Sequence, residues 1–444
     1  MNEAITAARA GMARVLDVRG DERVALGWSF VMFFCVLASY FTVRPVREMM
    51  GASLPKGELA QLFTVVFLVM LALVPLFGFV ATRAPRRLVL PAVYAFFIAN
   101  LVAFSVVMSG TTQAGSVPPW LASAFFVWVS VYNLFVVSLF WSLMSDRWGS
   151  EEGKRLFGVI SAGGTLGALA GPVVAGQLAG LIGAANLALV SAAFLGLAFV
   201  ASFQVSAQRP STANALDDKP PVTLGLILEG ATRVLRSPYL ARIAIVILLA
   251  NLVSTFFYLE QSRLVKATIA GSVAQVEFFA SRDLIVSVVT ALVQLFGTAA
   301  ILRRFGLTAA LAALPVVCIA GLLLIGALPT LAIVSGVMAF ERITAFGLAG
   351  PAMRVLYTVV DPAEKYKAQN FIDTVVYRGG DALSGWMFGA FGALALSAGM
   401  TIGLTLPFAV AWLVSCLGLG RMQAERAVMP AARTGLSPHT PFEG

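Results

Sequence analysis

The chain has 444 residues, of which 59% are hydrophobic and 12% charged, with a formal net charge of +9. Soluble domains run near 45–50% apolar and about 25% charged, so that class is excluded, together with disordered, fibrous, disulfide-scaffold and nucleic-acid-binding chains. A mean hydropathy of +0.88 leaves enough apolar sequence to fill twelve spans of roughly 20 residues each, and an all-α polytopic membrane protein is expected.

Residues 1–23 precede the first apolar window. Asp17, Asp21 and Glu22 mix there with arginines and no apolar core is present, so the segment is not a signal peptide. Ile5, Met12 and Leu16 recur at near-helical spacing, which fits a short helix on the inner membrane surface; a frayed tail fits equally. The windows then fall at 24–46, 59–81, 88–109, 119–144, 157–180 and 185–205, and after a break at 239–262, 277–302, 307–328, 330–354, 370–393 and 400–420. These are spans one to twelve. They form an N-terminal six-helix bundle over 24–205 and a C-terminal one over 239–420. The cytoplasmic linker 206–238 and the cytoplasmic tail 421–444 complete the chain.

Within the linker, AQRPSTANALDDKPP (207–221) is rich in Pro, Ser and Asp and reads as loop. Leu224, Ile227, Ala231 and Val234 then repeat against Glu229, Arg233 and Arg236, the pattern of an amphipathic connector helix. The two sides of this break echo each other at one common offset. Arg86-Arg87 matches Arg303-Arg304, Arg47 matches Arg263, Asp146 matches Asp361, and Gly163-Gly164 matches Gly379-Gly380. Two six-helix pseudo-repeats about an axis along the membrane normal are the arrangement of major facilitator transporters. The turns TRAPRR and LRRFG resemble that superfamily's loop motif. Most Lys and Arg fall on one side of such a layout, which places both termini in the cytoplasm.

Cys35, Cys318 and Cys416 all lie in apolar stretches, and His439 in the tail is the one histidine. Such cysteines behave as small hydrophobes. A disulfide framework, a metal site and histidine-based acid–base catalysis are not expected, and neither is enzyme activity. No GxxxxGK[ST] run is present, which disfavours an ATP-driven pump. No cofactor is implied.

Charge inside a span costs about 2.5–3.5 kcal/mol on insertion scales and usually faces a cavity or a partner. Spans three, six, nine and twelve carry none, as expected of outer, lipid-facing helices. Span one ends YFTVRPVREMM, with Arg44, Arg47 and Glu48 near its outer mouth; they either snorkel at the interface or enter a cavity. Arg282 and Asp283 in span eight form either a gate salt bridge or a local structural pair. Span ten carries Glu341 and Arg342 near its middle, and span eleven carries Asp373, then Arg378 and Asp381 three apart on one face. These charges either hold spans ten and eleven together or line an anion cavity. In the cavity reading Arg47, Arg342 and Arg378 attract phosphate or carboxylate groups, and Asp381 and Glu341 pair with them in the empty state. Asn133, Asn251 and Gln294 either line the same cavity or make helix–helix hydrogen bonds. Gly163, Gly164, Gly167 and Gly171 allow close packing and rocking of span five.

RPVRE after span one, FWSLMSDRWGSEEGKRLFGVISAGGTLGALAG across spans four and five, and DPAEKYKAQNFIDTVVYRGGDALSG before and within span eleven resemble the ATP/ADP translocase family, over roughly residues 24–420. These are the NTP/NDP exchange transporters of plastids and intracellular bacteria, with free-living bacterial relatives. The resemblance implies a major facilitator-like fold and nucleotide antiport without a metal cofactor. Arg47 and Glu48 stand where a basic–acidic pair closes that family's first span. Asp381 occupies roughly the place of a lysine in nucleotide exchangers, and Ser254 stands where an acidic residue of span seven is sought.

The expected function is secondary active transport of an anionic solute by alternating access, with ATP/ADP-type exchange as the leading candidate. A proton-coupled symporter or exporter of another solute keeps the same fold, and a transport-inactive membrane sensor or scaffold is the rival of a different class. The implied partners are the lipid bilayer and a small anionic solute, nucleotide among the candidates, with no nucleic acid. Both monomer and oligomer stay open. A bacterial inner membrane is the expected location.

Overall fold

The structure, a computed structural model, describes residues 18–55, 57–83, 86–112, 117–208, 224–394 and 396–428. The surface helix expected near Ile5 to Leu16, the linker core 209–223 and His439 lie outside these residues, as do the side chains of the TRAPRR turn.

The described residues are helical almost throughout, because inside a bilayer every backbone polar group must be satisfied within the segment. The first six long helices are α1 (Arg23–Ser53), α2 (Glu58–Arg83), α3 (Arg86–Thr112), α4 (Pro119–Arg147), α5 (Ser150–Ile182) and α6 (Leu187–Gln208). The connector α7 (Leu224–Arg236) forms where the amphipathic pattern predicts it, followed by α8 (Pro238–Thr268). The next helices are α9 (Ser272–Leu292), α10 (Thr298–Ala327), α11 (Leu331–Thr344) and α12 (Gly350–Leu356). The chain ends with α13 (Pro362–Phe371), α14 (Tyr377–Ala393) and α15 (Ala398–Val428). Starts follow local chemistry: Pro119 and Pro238 open their helices, where a missing N–H costs nothing. Thr330 Oγ1 accepts the Ile333 N–H at the start of α11.

Every predicted window lies on helical chain. Among the described residues nine stretches are long and apolar enough to cross a membrane, one of them the 56-residue run Ser272–Ala327. That run carries two predicted windows. It turns at Gly306, whose φ of 77° is open to glycine and costly for a residue with a Cβ. Helices also overrun the windows: α1 continues through RPVREMM to Ser53, and α8 to Thr268. Hydropathy ends where charge begins, but the backbone ladder continues wherever the charged side chains find protein partners.

Among the described residues three π-turns interrupt helices, at Val293–Gly297, Ala345–Ala349 and Ile372–Val376. Gln294 Nε2 donates to Phe346 O at 3.1 Å and Thr298 Oγ1 donates to Gly347 O at 2.5 Å, so the first two turns lock together. Their side chains supply the partners that carbonyls need where the regular ladder is broken.

The expected glycine packing is present. A Cβ on Gly163 or Gly167 would collide with the carbonyls of Phe30 and Phe34, and one on Gly164 with the Phe33 ring, all on α1. The pseudo-equivalent Gly380 packs against the Asn251 and Leu248 side chains of α8, where a Cβ would lie 2.8 and 3.2 Å from them. The same span-five-on-span-one contact therefore recurs as span eleven on span seven. The two chain halves meet through α5 on α9 and α2 on α14. Gly180 approaches Glu277, and Gly385 leaves no room for a Cβ beside Ala60 O. Phe96 on α3, Phe203 on α6, Leu323 on α10 and Val414 on α15 are exposed, in keeping with the charge-free outer helices expected.

Candidate functional site

Polar groups buried in an apolar bundle must find one another, and here they converge where α1 faces α8, α9 and α11. From α1, Arg44 Nε lies 3.4 Å from Asp283 Oδ2, an ion pair that joins the two chain halves. Arg282 Nη2 holds the other oxygen of Asp283 at 2.8 Å. Arg282 Nη1 donates to Gln261 Oε1, and Gln261 Nε2 donates to Ser335 Oγ at 3.2 Å. Asp283 thus sits between two guanidinium groups with its side chain 1% exposed. Nearby, Lys266 Nζ donates to the carbonyls of Ser53 and Leu54 at 3.0 and 2.6 Å. These contacts pin the end of α1 to the second half.

Arg47 Nη1 lies 3.1 Å from Glu48 Oε1. Its Nε donates to Phe126 O at 3.4 Å, and its guanidinium lies 3.9 Å from the centre of the Phe126 ring, close enough for a cation–π contact. Arg44 and Arg47 keep only 14% and 17% of their side chains exposed. Snorkelling at an interface is therefore overturned for both, since their heads point to protein partners and not to water. Glu48 Oε2 and Tyr258 OH are buried beside them, and the two side chains face each other.

Arg342, half-buried on α11, makes no hydrogen bond and no ion pair among the described residues. It lies within electrostatic reach of Arg44, Arg282, Glu48 and Asp283. The neighbouring Glu341 does not turn to it. Ser254 Oγ of α8 donates to Glu341 Oε1 at 2.7 Å. The expectation that Glu341 pairs with an arginine is thus corrected: successive helix residues project about 100° apart, which sends Glu341 toward α8 and Arg342 toward the charge cluster.

Arg378 Nη1 and Asp381 Oδ2 lie 3.6 Å apart along α14, and Asp381 is also within reach of Arg47. Their pairing is within one helix, so this ion pair does not tie span ten to span eleven. Asp373 is exposed inside the third π-turn and is influenced by Arg354. Asn251 Nδ2 donates to Tyr377 O at 2.6 Å, the interhelical role. Gln294 does the same with Phe346. Asn133 is half-buried and makes no hydrogen bond among the described residues.

Sequence reasoning missed Tyr258, Gln261 and Phe126. A signal was present for two of them: Ser254, Tyr258 and Gln261 recur at helical spacing on one face of an apolar span. Phe126 contributes a ring and a carbonyl, which no motif marks. Among the described residues no three His, Cys, Asp or Glu side chains gather to hold a metal. An apolar groove of about 680 Å³ lies elsewhere, between α2, α3 and α4, lined by Leu62, Phe97, Trp128 and Phe135. It offers charge nothing.

The arrangement can attract an anion and can hold the two chain halves together on one face. Comparisons with known proteins agree with a transporter. Residues 29–385 match the family model described as Major Facilitator Superfamily. No curated protein sequence matches the chain. The fold is similar to that of the POT family transporter PepTSo, with a TM-score of 0.64 at 12% identity, covering 90% of this chain and 98% of that one. It is similar to a bacterial homologue of the iron transporter ferroportin in an inward-facing state, with a TM-score of 0.62 at 13% identity, covering 90% and 98%. It is also similar to the nucleoside transporter NupG, with a TM-score of 0.58 at 17% identity, covering 91% and 99%.

Proposed function

Because this chain belongs to the major facilitator superfamily and is a multi-pass membrane transporter, we propose that it carries a small anionic solute by alternating access, with nucleotide exchange of the ATP/ADP type as the first candidate. One observation carries the reading. Four guanidinium groups, of Arg44, Arg47, Arg282 and Arg342, gather at the junction of the halves around the ion-paired carboxylates of Glu48 and Asp283, and among the described residues Arg342 is within ion-pair distance of neither. A guanidinium drawn into the bundle without a paired carboxylate is costly unless a ligand neutralises it, and among the described residues Arg342 makes no hydrogen bond or ion pair.

In this reading the bundles 24–205 and 239–420 rock about the site, linked through 206–238. The inner-face segments 1–23 and 421–444 flank them, both in the cytoplasm of a bacterial inner membrane. Glu48 and Asp283 hold the arginines while the site is empty. An arriving phosphate or carboxylate takes the fork of Arg342 and competes with Asp283 for Arg44 and Arg282. The Arg44–Asp283 pair then loosens, and the closed face is free to open. Arg378 and Asp381 stand along the route as a second, half-exposed pair. The ATP/ADP translocase resemblance of RPVRE and of the span-eleven motif supports nucleotide as the anion. The nucleoside transporter among the similar folds is compatible with it and, at its low identity, adds no more.

Counterflow in proteoliposomes tests the proposal. Labelled ATP is offered outside vesicles preloaded with unlabelled ATP and ADP, with and without a proton gradient. Uptake that needs internal nucleotide and falls at least tenfold in Arg342→Gln is the expected result. Uptake by wild type and R342Q alike would remove Arg342 from the site, and no uptake by folded protein would remove nucleotide as substrate.

A further inference from the structure

Three buried carboxylates near the junction are treated differently by the fold. Glu48 touches Arg47 at 3.1 Å, and Asp283 lies between Arg282 and Arg44 at 2.8 and 3.4 Å. Glu341 is 6% exposed and touches no cation within ion-pair distance among the described residues. Its close polar partner is the Ser254 hydroxyl at 2.7 Å. A buried carboxylate without a paired cation pays a desolvation cost that a neutral carboxyl avoids. A hydroxyl donating to one oxygen serves a protonated carboxyl as well, since that oxygen is still an acceptor.

From this geometry we propose that Glu341 is a proton-binding site, and that its proton and the anion held at Arg342 bind cooperatively and cross together. The groups around it agree. Span seven contributes Ser254; span nine contributes Cys318, a buried thiol within reach of Glu341. Span eleven contributes Tyr377, which senses both Glu341 and Arg342. Span eight contributes Arg282 and Asp283, which act on Arg342. The nearest cation is Arg342 itself, on the next position of the same helix. An anion bound there cancels the charge that opposes protonation of Glu341. By linkage, a proton on Glu341 strengthens anion binding by the same factor.

The transport consequence rests on the anion-transport reading above and deepens it: the solute moves with a proton, which favours symport over strict exchange. The site itself is tested without any substrate. Infrared difference spectra of the full-length protein in lipid nanodiscs, recorded across pH, report a protonated carboxyl through its C=O stretch. One such band at neutral pH, absent in Glu341→Gln and moved in frequency but present in Ser254→Ala, is the expected result. Arg342→Gln should raise the midpoint of that band, a gain in proton affinity of about tenfold or more for loss of a unit charge at this range, and Arg378→Gln should leave it in place. A spectrum in which E341Q loses no such band overturns the proton site, even if ATP counterflow is intact. A band that E341Q removes but R342Q does not move overturns the cooperativity with the anion. Loss of counterflow with the band unchanged would instead count against the transport reading alone.

Discussion

The two halves of the chain answer the same problem, polar groups in an apolar bundle, in different proportions. Apart from the charged end of α1, the first half has a network of neutral hydroxyls. Ser39 Oγ meets both Tyr132 OH and Ser191 Oγ, and Ser191 Oγ donates back to Ser39 O at 2.9 Å. Stacked rings such as Phe33 on Phe140, 4.2 Å between centres, and Trp128 on Tyr132, 5.1 Å, fill the space around it. In the second half the buried groups include the charged Arg282, Asp283 and Glu341, which meet the end of α1, and all three π-turns among the described residues occur there. A satisfied neutral network and backbone-to-ring packing favour a rigid body. Unpaired charge and broken helices favour a part that changes shape on binding. The difference teaches that pseudo-symmetry fixes the frame and leaves the chemistry free to diverge.

The sharpest way to break this comparison is to remove Asp283. Asp283→Asn leaves Arg44 and Arg282 buried beside a neutral amide, and removing one partner of a buried pair costs about 3–5 kcal/mol. A large fall in Tm is expected, with cysteine-labelling access on the closed face increased; an unchanged Tm would mean that this pair does not hold the halves. Next in size is the arginine contrast. Arg342→Gln should lower ATP counterflow about 10–100-fold through loss of a charge-assisted contact of about 1.5–3 kcal/mol. Arg263 is the pseudo-equivalent of Arg47 but 56% exposed and paired with Glu260, so Arg263→Gln should leave counterflow near wild type.

Packing gives the third test. Gly167→Ala sets a Cβ against the backbone of Phe34 and Ala38 and should cost about 1–3 kcal/mol. Gly336→Ala in the second half meets nothing within 4 Å and should gain up to about 1 kcal/mol from helix propensity, so thermal melts of the two should move in opposite directions. Thr298→Val removes the donor to Gly347 O, which should cost about 1 kcal/mol and speed hydrogen exchange in the Ala345–Ala349 turn. The smallest effect belongs to the connector. Lys367 donates to Glu229 and holds its carboxyl below the usual range, while Arg233 pairs with Glu364 at 2.9 Å. A lowered folded-state value stabilises above the ordinary carboxylate pKa, and that contribution disappears as pH falls through the lowered one. Docking of α7 on α13, followed by a spin-label distance, should loosen only in acid and in high salt.

Much of the frame was legible because hydropathy is a local sum. The windows for spans one to twelve fall on helical chain, and the Leu224–Val234 periodicity is a helix. The glycines of span five do meet span one. The gathering of charge was legible in membership and not in wiring. Arg47, Glu48, Arg282, Asp283 and Arg342 were marked by their cost in an apolar span, and they do gather. Glu341 was assigned to an arginine and is held by Ser254, because neighbouring side chains on a helix diverge and the sequence does not say which neighbour each one meets. Phe126 left no signal, since a backbone carbonyl and a ring are common to every span.

By itself the sequence determined that this chain lives in a membrane, where its helices run, that its halves repeat, and which charges are too costly to be idle. Those properties depend on what each residue is and on near neighbours along the chain. Only the tertiary structure decided that Arg44 reaches Asp283, that Arg342 makes no ion pair among the described residues and that Glu341 meets the Ser254 hydroxyl. Those outcomes depend on the rotation and depth of helices far apart in sequence, which a difference of a fraction of a turn would reverse.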